Sequence, residues 1–229
     1  MKSIRRTTSF VDAGLTWTIK RTVGVLIHYV YAAEGPVTRS DPAIDRPTTH
    51  DGRELLPLCD PTELRGLSKV QLRQIGAHSG RAPQRILEQG ERIYILMRGH
   101  AILSQLNVSF GGFTVSTPIP LRLELAPDSF FVSFLYTPPA ARGEGHAHEL
   151  MTRACNALFS EGYSRALCHI RSTNLPSRAT VQAAGWHRKA AIVATQRGRL
   201  LGTPGGRRIG LKAVPQFKPR DAGDAAGAP

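Results

Sequence analysis

The stretch T-P-P-A-A-R-G-E-G-H-A-H-E-L at 137–150 directly follows the apolar run F-F-V-S-F-L-Y at 130–136. A strand-like run meets Pro138 and Pro139, passes Gly143 and Gly145, and enters residues with helical spacing. The first turn of a helix holds backbone N–H groups without internal partners, and its dipole adds about half a positive charge. Such an end suits an anion, phosphate above all. Gly143 and Gly145 lack Cβ atoms, so the main chain can approach a diphosphate closely. Arg142 places a cation beside them. The plain alternative is an ordinary strand-to-helix turn that holds glycines. Neither a dinucleotide fingerprint nor a P-loop fits: the third glycine of the former is absent, and no Gly-Lys-Ser/Thr follows.

Other reactive residues carry less. His146 and His148 leave a helix in different directions, which argues against a metal pair. Cys155 falls on the packed side of the same helix and reads as a small core group. Cys168 and His169 point to opposite sides of a strand, which argues against a thiolate–imidazole pair. The acids nearest the start of the apolar run are Glu124 and Asp128. Each by itself reads as a solvated loop acid.

These residues need elements to hold them. Leu55, Leu56 and Leu58 suggest a short strand. Asp60-Pro61-Thr62-Glu63 then supplies a cap, a proline and an acidic first turn for a helix running to Gly76. Residues 83–89 suggest a second short helix. The alternation predicts a hairpin of strands at 92–98 and 101–110 around Gly99-His100. Loop or ragged strand is expected over 111–125, and a central buried strand over 130–136. Ala147, Leu150, Met151, Ala154 and Leu158 mark one helical face that ends at Glu161-Gly162. A strand over 165–171, a helix over 174–184 and strands over 186–195 and 200–214 complete the order. The fold class expected is α/β (α+β) with a mixed sheet.

Residues 1–33 read as a basic leader, with Ile19, Val23, Leu26, Ile27 and Val30 on one helical face, although Tyr29-Val30-Tyr31 also fits a strand. A helix packed on the same protein is the favoured reading; a helix lying on an anionic membrane surface is the sharper one. The Pro-, Thr- and Asp-rich stretch to Arg53 reads as a linker. The expected organisation is a leader and linker at 1–50, a domain at 51–214 and a disordered tail at 215–229.

The 229 residues carry 30 basic and 17 acidic side chains, a formal net charge of +13, so phosphate-bearing partners are favoured. No aromatic RNA-binding signature or basic heptad pattern accompanies the charge, and nucleic acid ranks below a phosphorylated cofactor. Three scattered cysteines fit free thiols in a reducing compartment, and a cytoplasmic location is expected. No run reaches the length of a membrane span.

Arg142-Gly143-Glu144-Gly145-His146-Ala147 resembles the Arg/Gln-x-x-Gly-x-Gly/Ala signature of the GNAT superfamily of acyl-CoA-dependent N-acyltransferases. Leu135-Tyr136-Thr137-Pro138-Pro139 is similar to the strand that precedes it in that family. Asn174-Leu175-Pro176-Ser177, followed by Ala184-Gly185-Trp186, resembles the second signature. The resemblance covers about 53–212 and is densest over 130–190.

It implies a mostly antiparallel sheet with a splayed parallel pair at its centre and helices on both faces. It also implies acetyl-CoA, or another acyl-CoA, as co-substrate, with no metal. The diphosphate would lie on Arg142, Gly143, Glu144, Gly145, His146 and Ala147. Pantetheine would pair with backbone of Leu135, Tyr136 and Thr137 and touch Asn174 and Ser177. The reaction implied is direct attack of an amine on the thioester through a tetrahedral intermediate. The base is sought at the start of the strand, in Glu124 or Asp128 directly or through a water, and either a group such as Tyr136 donates a proton to the thiolate or the thiolate leaves without help. Two positions depart from the family pattern. Val181 stands where many members carry a tyrosine, and Glu144 puts a negative charge in the phosphate loop. The acceptor expected is a small amine such as an amino sugar; a protein amine or a longer acyl donor stays open. So do a homodimer and a non-catalytic acyl-CoA-binding module of the same fold.

Overall fold

The computed structural model describes residues 24–35 and 52–216. The basic residues 1–23, the Pro-rich stretch 36–51 and the tail from 217 lie outside the described residues, as do the readings that fell on them.

Eleven strands and four α-helices make up the described residues. The main sheet contains β1 (Val25–Glu34), β2 (Arg53–Leu58), β3 (Arg92–Arg98), β4 (Ala101–Phe110), β7 (Ser129–Tyr136), β8 (Arg165–Arg171), β9 (His187–Thr195) and β10 (Leu200–Gly202). Its strand order is β10-β9-β1-β8-β7-β4-β3-β2. Only β7 and β8 run parallel; the remaining neighbours are antiparallel. A second sheet joins β5 (Gly112–Val115), β6 (Leu121–Glu124) and β11 (Lys212–Pro215).

The helices are α1 (Lys69–Ser79), α2 (Pro83–Glu88), α3 (His146–Ser160) and α4 (Leu175–Ala183). Strand alternation sends successive side chains to opposite faces of the main sheet. On one face Tyr94, Leu106, Phe130 and Ala166 pack with Leu150, Ala154 and Leu158 of α3 and Val181 of α4. On the other, Ile93, Ile95 and Met97 pack with Ile75 of α1 and Ile86 of α2. The same face holds Val30, Phe131, Leu167 and Ile192 further along, and the second sheet covers them with Leu121, Leu123 and Leu211. Helices therefore lie on both faces.

Three expectations change. The helical reading of the leader gives way over 25–34 to β1, inserted between β8 and β9. Every residue from His28 to Ala33 is buried, so both faces of this stretch are covered, which a one-faced helical pattern cannot describe. The stretch therefore belongs to the sheet and not to an appendage. The helix expected from Pro61 to Gly76 is split into a 3-10 turn, Pro61–Gly66, and α1. Ser68 and Gln71 form a capping box that starts a new helix, and Gly80, at φ 66°, ends it. The ragged segment 111–125 resolves into β5 and β6. The hairpin at 92–98 and 101–110 and the strand at 165–171 stand as expected.

Phe130 is fully buried and packs against Phe159 and Tyr163. Phe130→Ala is expected to lower stability by about 3–5 kcal/mol, read as a lower urea midpoint at unchanged slope.

Candidate active site

The ladder between β7 and β8 stops early. Ser129, Phe130 and Phe131 pair with Arg165, Ala166 and Leu167, and no pair follows. Each strand keeps its outer partner to the end: β7 stays with β4 as far as Tyr136, and β8 with β1 as far as Arg171. The two strands therefore diverge, and the centre of the sheet opens along 132–136 and 168–171. A bulge sits on β7 at the opening, where the register with β4 shifts between Gln105 and Asn107. Phe134 there adopts φ 50°, an uncommon conformation for a side-chain-bearing residue.

A cleft of about 1360 Å³ passes through the opening. Val132 to Leu135 and Cys168 to Arg171 form its edges. Met151, Val181, Asn174 and Ser177 line it on the α3–α4 side. Arg81, Glu91, Ser109, Phe113 and Arg122 line it on the opposite side.

The chain leaves β7 at the open end and enters α3 through 137–145. Gly143 and Gly145 have φ of 88° and 81°, and a Cβ on either would meet nothing within 4 Å. Gly145 is the helix N-cap, with no side-chain hydrogen bond to the first turn. The main chain therefore presents uncapped N–H groups and open space, which fits a diphosphate. Arg142 donates from Nε to the Thr137 carbonyl at 3.0 Å and folds back on the loop. Glu144 turns towards buried His146, whose Nε2 lies 3.1 Å from its carboxylate; His146 Nδ1 is buried without a partner. Ala147 follows in the first turn.

Leu135, Asn174 and Ser177 line the cleft. Asn174 also caps α4, its side-chain oxygen accepting from the Ser177 N–H at 3.3 Å. Thr137 is held at the rim, where its hydroxyl meets the Ser104 hydroxyl at 3.0 Å.

The three expected catalytic side chains do not gather with these. Glu124 lies on β6, paired with Lys212 at 3.0 Å and outside the cleft lining. Asp128 precedes the closed end of the β7–β8 pair, where the Ser164 hydroxyl donates to it and holds its carboxyl below the usual range. Tyr136 stacks on His78 at 3.6 Å between ring centroids and is not among the lining residues.

Sequence reasoning missed the polar group on the far wall. Glu91, 8% exposed, accepts from Arg81 at 2.5 and 2.8 Å and from Ser109 at 3.1 Å. The only signal was a charged pair ten residues apart across an α2 loop, which no motif marks. Arg178 is 5% exposed and donates to the Tyr31 hydroxyl at 3.1 Å and the Ser172 carbonyl at 2.8 Å, tying α4 to the turn after β8. Val181, at the family's tyrosine position, packs in the cleft wall and supplies no proton. Burial raises the Cys155 and Cys168 thiols, so neither is a nucleophile. Among the described residues no three His, Cys, Asp or Glu side chains come together as a metal site.

Residues 81–186 match the acetyltransferase (GNAT) family. This part of the chain is similar to GNAT acetyltransferase domains, and it contains the cleft edges and the glycine loop. No curated protein is significantly similar to the chain. Among solved structures, a GNAT-family acetyltransferase of Novosphingobium aromaticivorans is 16% identical, with 74% of this chain and 62% of that one covered and a TM-score of 0.49. A GCN5-related N-acetyltransferase of Kribbella flavida is 14% identical over 87% and 67%, with a TM-score of 0.47. An aminoglycoside N-acetyltransferase in complex with CoA is 18% identical over 59% and 92%, with a TM-score of 0.42. The chain thus spans less than two thirds of the Novosphingobium protein.

Two outcomes are expected. Gly145→Val strains the left-handed cap and screens the helix end, so it should weaken coenzyme A binding at least tenfold in calorimetry, while stability falls by only about 1–2 kcal/mol and the protein stays folded. Desolvation pushes the His169 imidazole down from 6.5 to about 4. The unfolded chain then takes up a proton that the folded one refuses, so stability is lost as pH falls from about 6.5 to about 4. The loss approaches ~3 kcal/mol. Urea titrations across this window should show it, and His169→Asn should flatten it.

Proposed function

We propose that the protein moves an acetyl or other short acyl group from acyl-coenzyme A to the amine of a small molecule. Two observations carry this reading: a cleft runs through the middle of the sheet, and β7, which forms one of its edges, leads through the glycine loop into an uncapped helix end. Main-chain N–H groups of 143–147 hold the diphosphate. The pantetheine arm takes the place of the missing ladder between β7 and β8, along Leu135 and past Asn174 and Ser177. The thioester then reaches the wall formed by Glu91 and Ser109.

There the amine lone pair attacks the thioester carbon while a β7 main-chain N–H steadies the developing oxyanion. The carbon–nitrogen bond forms, the carbon–sulfur bond breaks, and the thiolate of coenzyme A leaves and takes up a proton. The proton lost by the amine passes through water to Glu91, the one carboxylate among the described residues lining the cleft. Arg81 and Ser109 fix that carboxylate in place. Glu124 and Asp128, ion-paired and hydrogen-bonded elsewhere, are not needed in this scheme.

A binding module without turnover would share the cradle but not need a fixed carboxylate opposite it. Glu91→Gln is therefore expected to lower kcat for acyl transfer about 10²-fold or more while leaving coenzyme A affinity unchanged. Equal rates for both proteins in a thiol-release assay would remove Glu91 from the reaction, and absence of turnover by either on any amine would favour the module.

A further inference from the structure

The cleft wall opposite α3 and α4 is built from β5, β6 and the corner between α1 and β3. The charged and titratable side chains lining it from all these elements and from the sheet floor are Arg81, Glu91, Arg122, Arg171, His28 and His169. Glu91 is already engaged by Arg81 through two short contacts. Arg171 has no ion pair among the described residues. The carboxylate nearest Arg122 is Glu124, at 3.9 Å, and Lys212 holds that carboxylate closer, at 3.0 Å. Among the described residues the cleft is thus lined by three guanidinium groups, Arg81, Arg122 and Arg171, against one carboxylate, Glu91, which Arg81 already holds; Arg122 has only the long 3.9 Å contact to Glu124, which lies outside the lining.

The Arg122 guanidinium lies on the backbone of Gly112, where a Cβ would come within 2.5 Å of Nη2 and 3.1 Å of Cζ. A side chain at 112 would therefore push the guanidinium aside. Arg171 follows Leu167 and His169 on the same face of β8, away from α3. The N-terminus of α3, where the coenzyme diphosphate fits, belongs to the layer covering the other face of the sheet. An anion held by Arg122 therefore lies on the other face of the sheet from that helix end.

We propose that the acceptor is a small amine that also carries an anionic group, a carboxylate or a phosphate. Arg122 and Arg171 hold that group, and the amine is left pointing at the opening between β7 and β8. Guanidinium forks suit both anions, since each offers two oxygens in the spacing of two N–H donors. A polycationic amine would meet three guanidinium groups and only one lining carboxylate, Glu91, already held by Arg81. This assignment rests on the acyl-transfer reading and narrows it to a substrate class.

The test uses the full chain and two measurements. Calorimetry with coenzyme A alone probes the acyl-transfer reading. Thiol release, and calorimetry on the coenzyme A-loaded protein, then compare four amines of matched skeleton: unsubstituted, carboxylated, phosphorylated and polyamino. The carboxylated or the phosphorylated amine is expected to exceed the unsubstituted one at least tenfold in kcat/KM or in affinity, and the better of the two identifies the anion. Arg122→Gln and Arg171→Gln should each raise KM for that amine about tenfold and shrink its advantage over the unsubstituted amine, with KM for acetyl-CoA unchanged. Gly112→Ala, which displaces the Arg122 guanidinium without removing it, should act in the same direction. Coenzyme A binding together with a preference for the unsubstituted or polyamino compound, or with no binding of either anionic amine, overturns the acceptor assignment alone. No heat with coenzyme A overturns the acyl-transfer reading beneath it.

Discussion

The early end of the β7–β8 ladder governs everything else in the molecule. Two parallel strands in the middle of an eight-stranded sheet would normally satisfy each other along their length. Here they pair at three positions and then part. Backbone groups along the inner edges are left to whatever enters, and an extended chain of amides is the natural complement. The outer ladders hold the opening: β4 keeps β7 in place and β1 keeps β8, so the gap does not close by collapse. The bulge at Phe134 belongs to the same arrangement, because it bends β7 where the partner strand is lost.

Charge is distributed around that opening in a consistent way. The helix end offers N–H donors without a fixed anion of its own, since Glu144 is turned onto His146 and Glu149 is held by Arg53 at 2.8 Å and Arg153 at 3.3 Å. Across the sheet Glu91, the single lining carboxylate among the described residues, is pinned by Arg81. Neither end therefore needs to desolvate a loose acid when a phosphorylated molecule arrives. The buried imidazole of His169 stays neutral between them, adding polarity without charge.

The parts of this that could be read from the chain are those written in local pattern. Gly143 and Gly145 marked the loop, the alternation at 92–98 and 101–110 gave the hairpin, and 165–171 stood out as a strand. Asn174 was placed at the cleft by its motif, yet its bond to the Ser177 N–H is a capping role that any helix start could ask of it. The misreadings arose where tertiary contacts decide. Residues 25–34 look amphipathic until β8 and β9 cover both edges and the two cores cover both faces. Glu91 carries no motif; only folding brings it between Arg81 and Ser109. Glu124 and Asp128 were chosen for nearness in sequence to β7, but a strand of eight residues separates its two ends by about 25 Å, and Asp128 lies at the closed one.

The location of β1 also bears on how the protein comes to be made. This strand is among the first described residues to be synthesised, while both of its neighbours, β8 and β9, lie beyond residue 164. During translation its two edges of unpaired N–H and C=O groups must wait for most of the polypeptide to emerge. Such long sequence separations slow assembly, because a large loop must close before any contact rewards it. The interval is one in which a nascent chain of this kind is open to capture by a chaperone or by the matching strand of another copy.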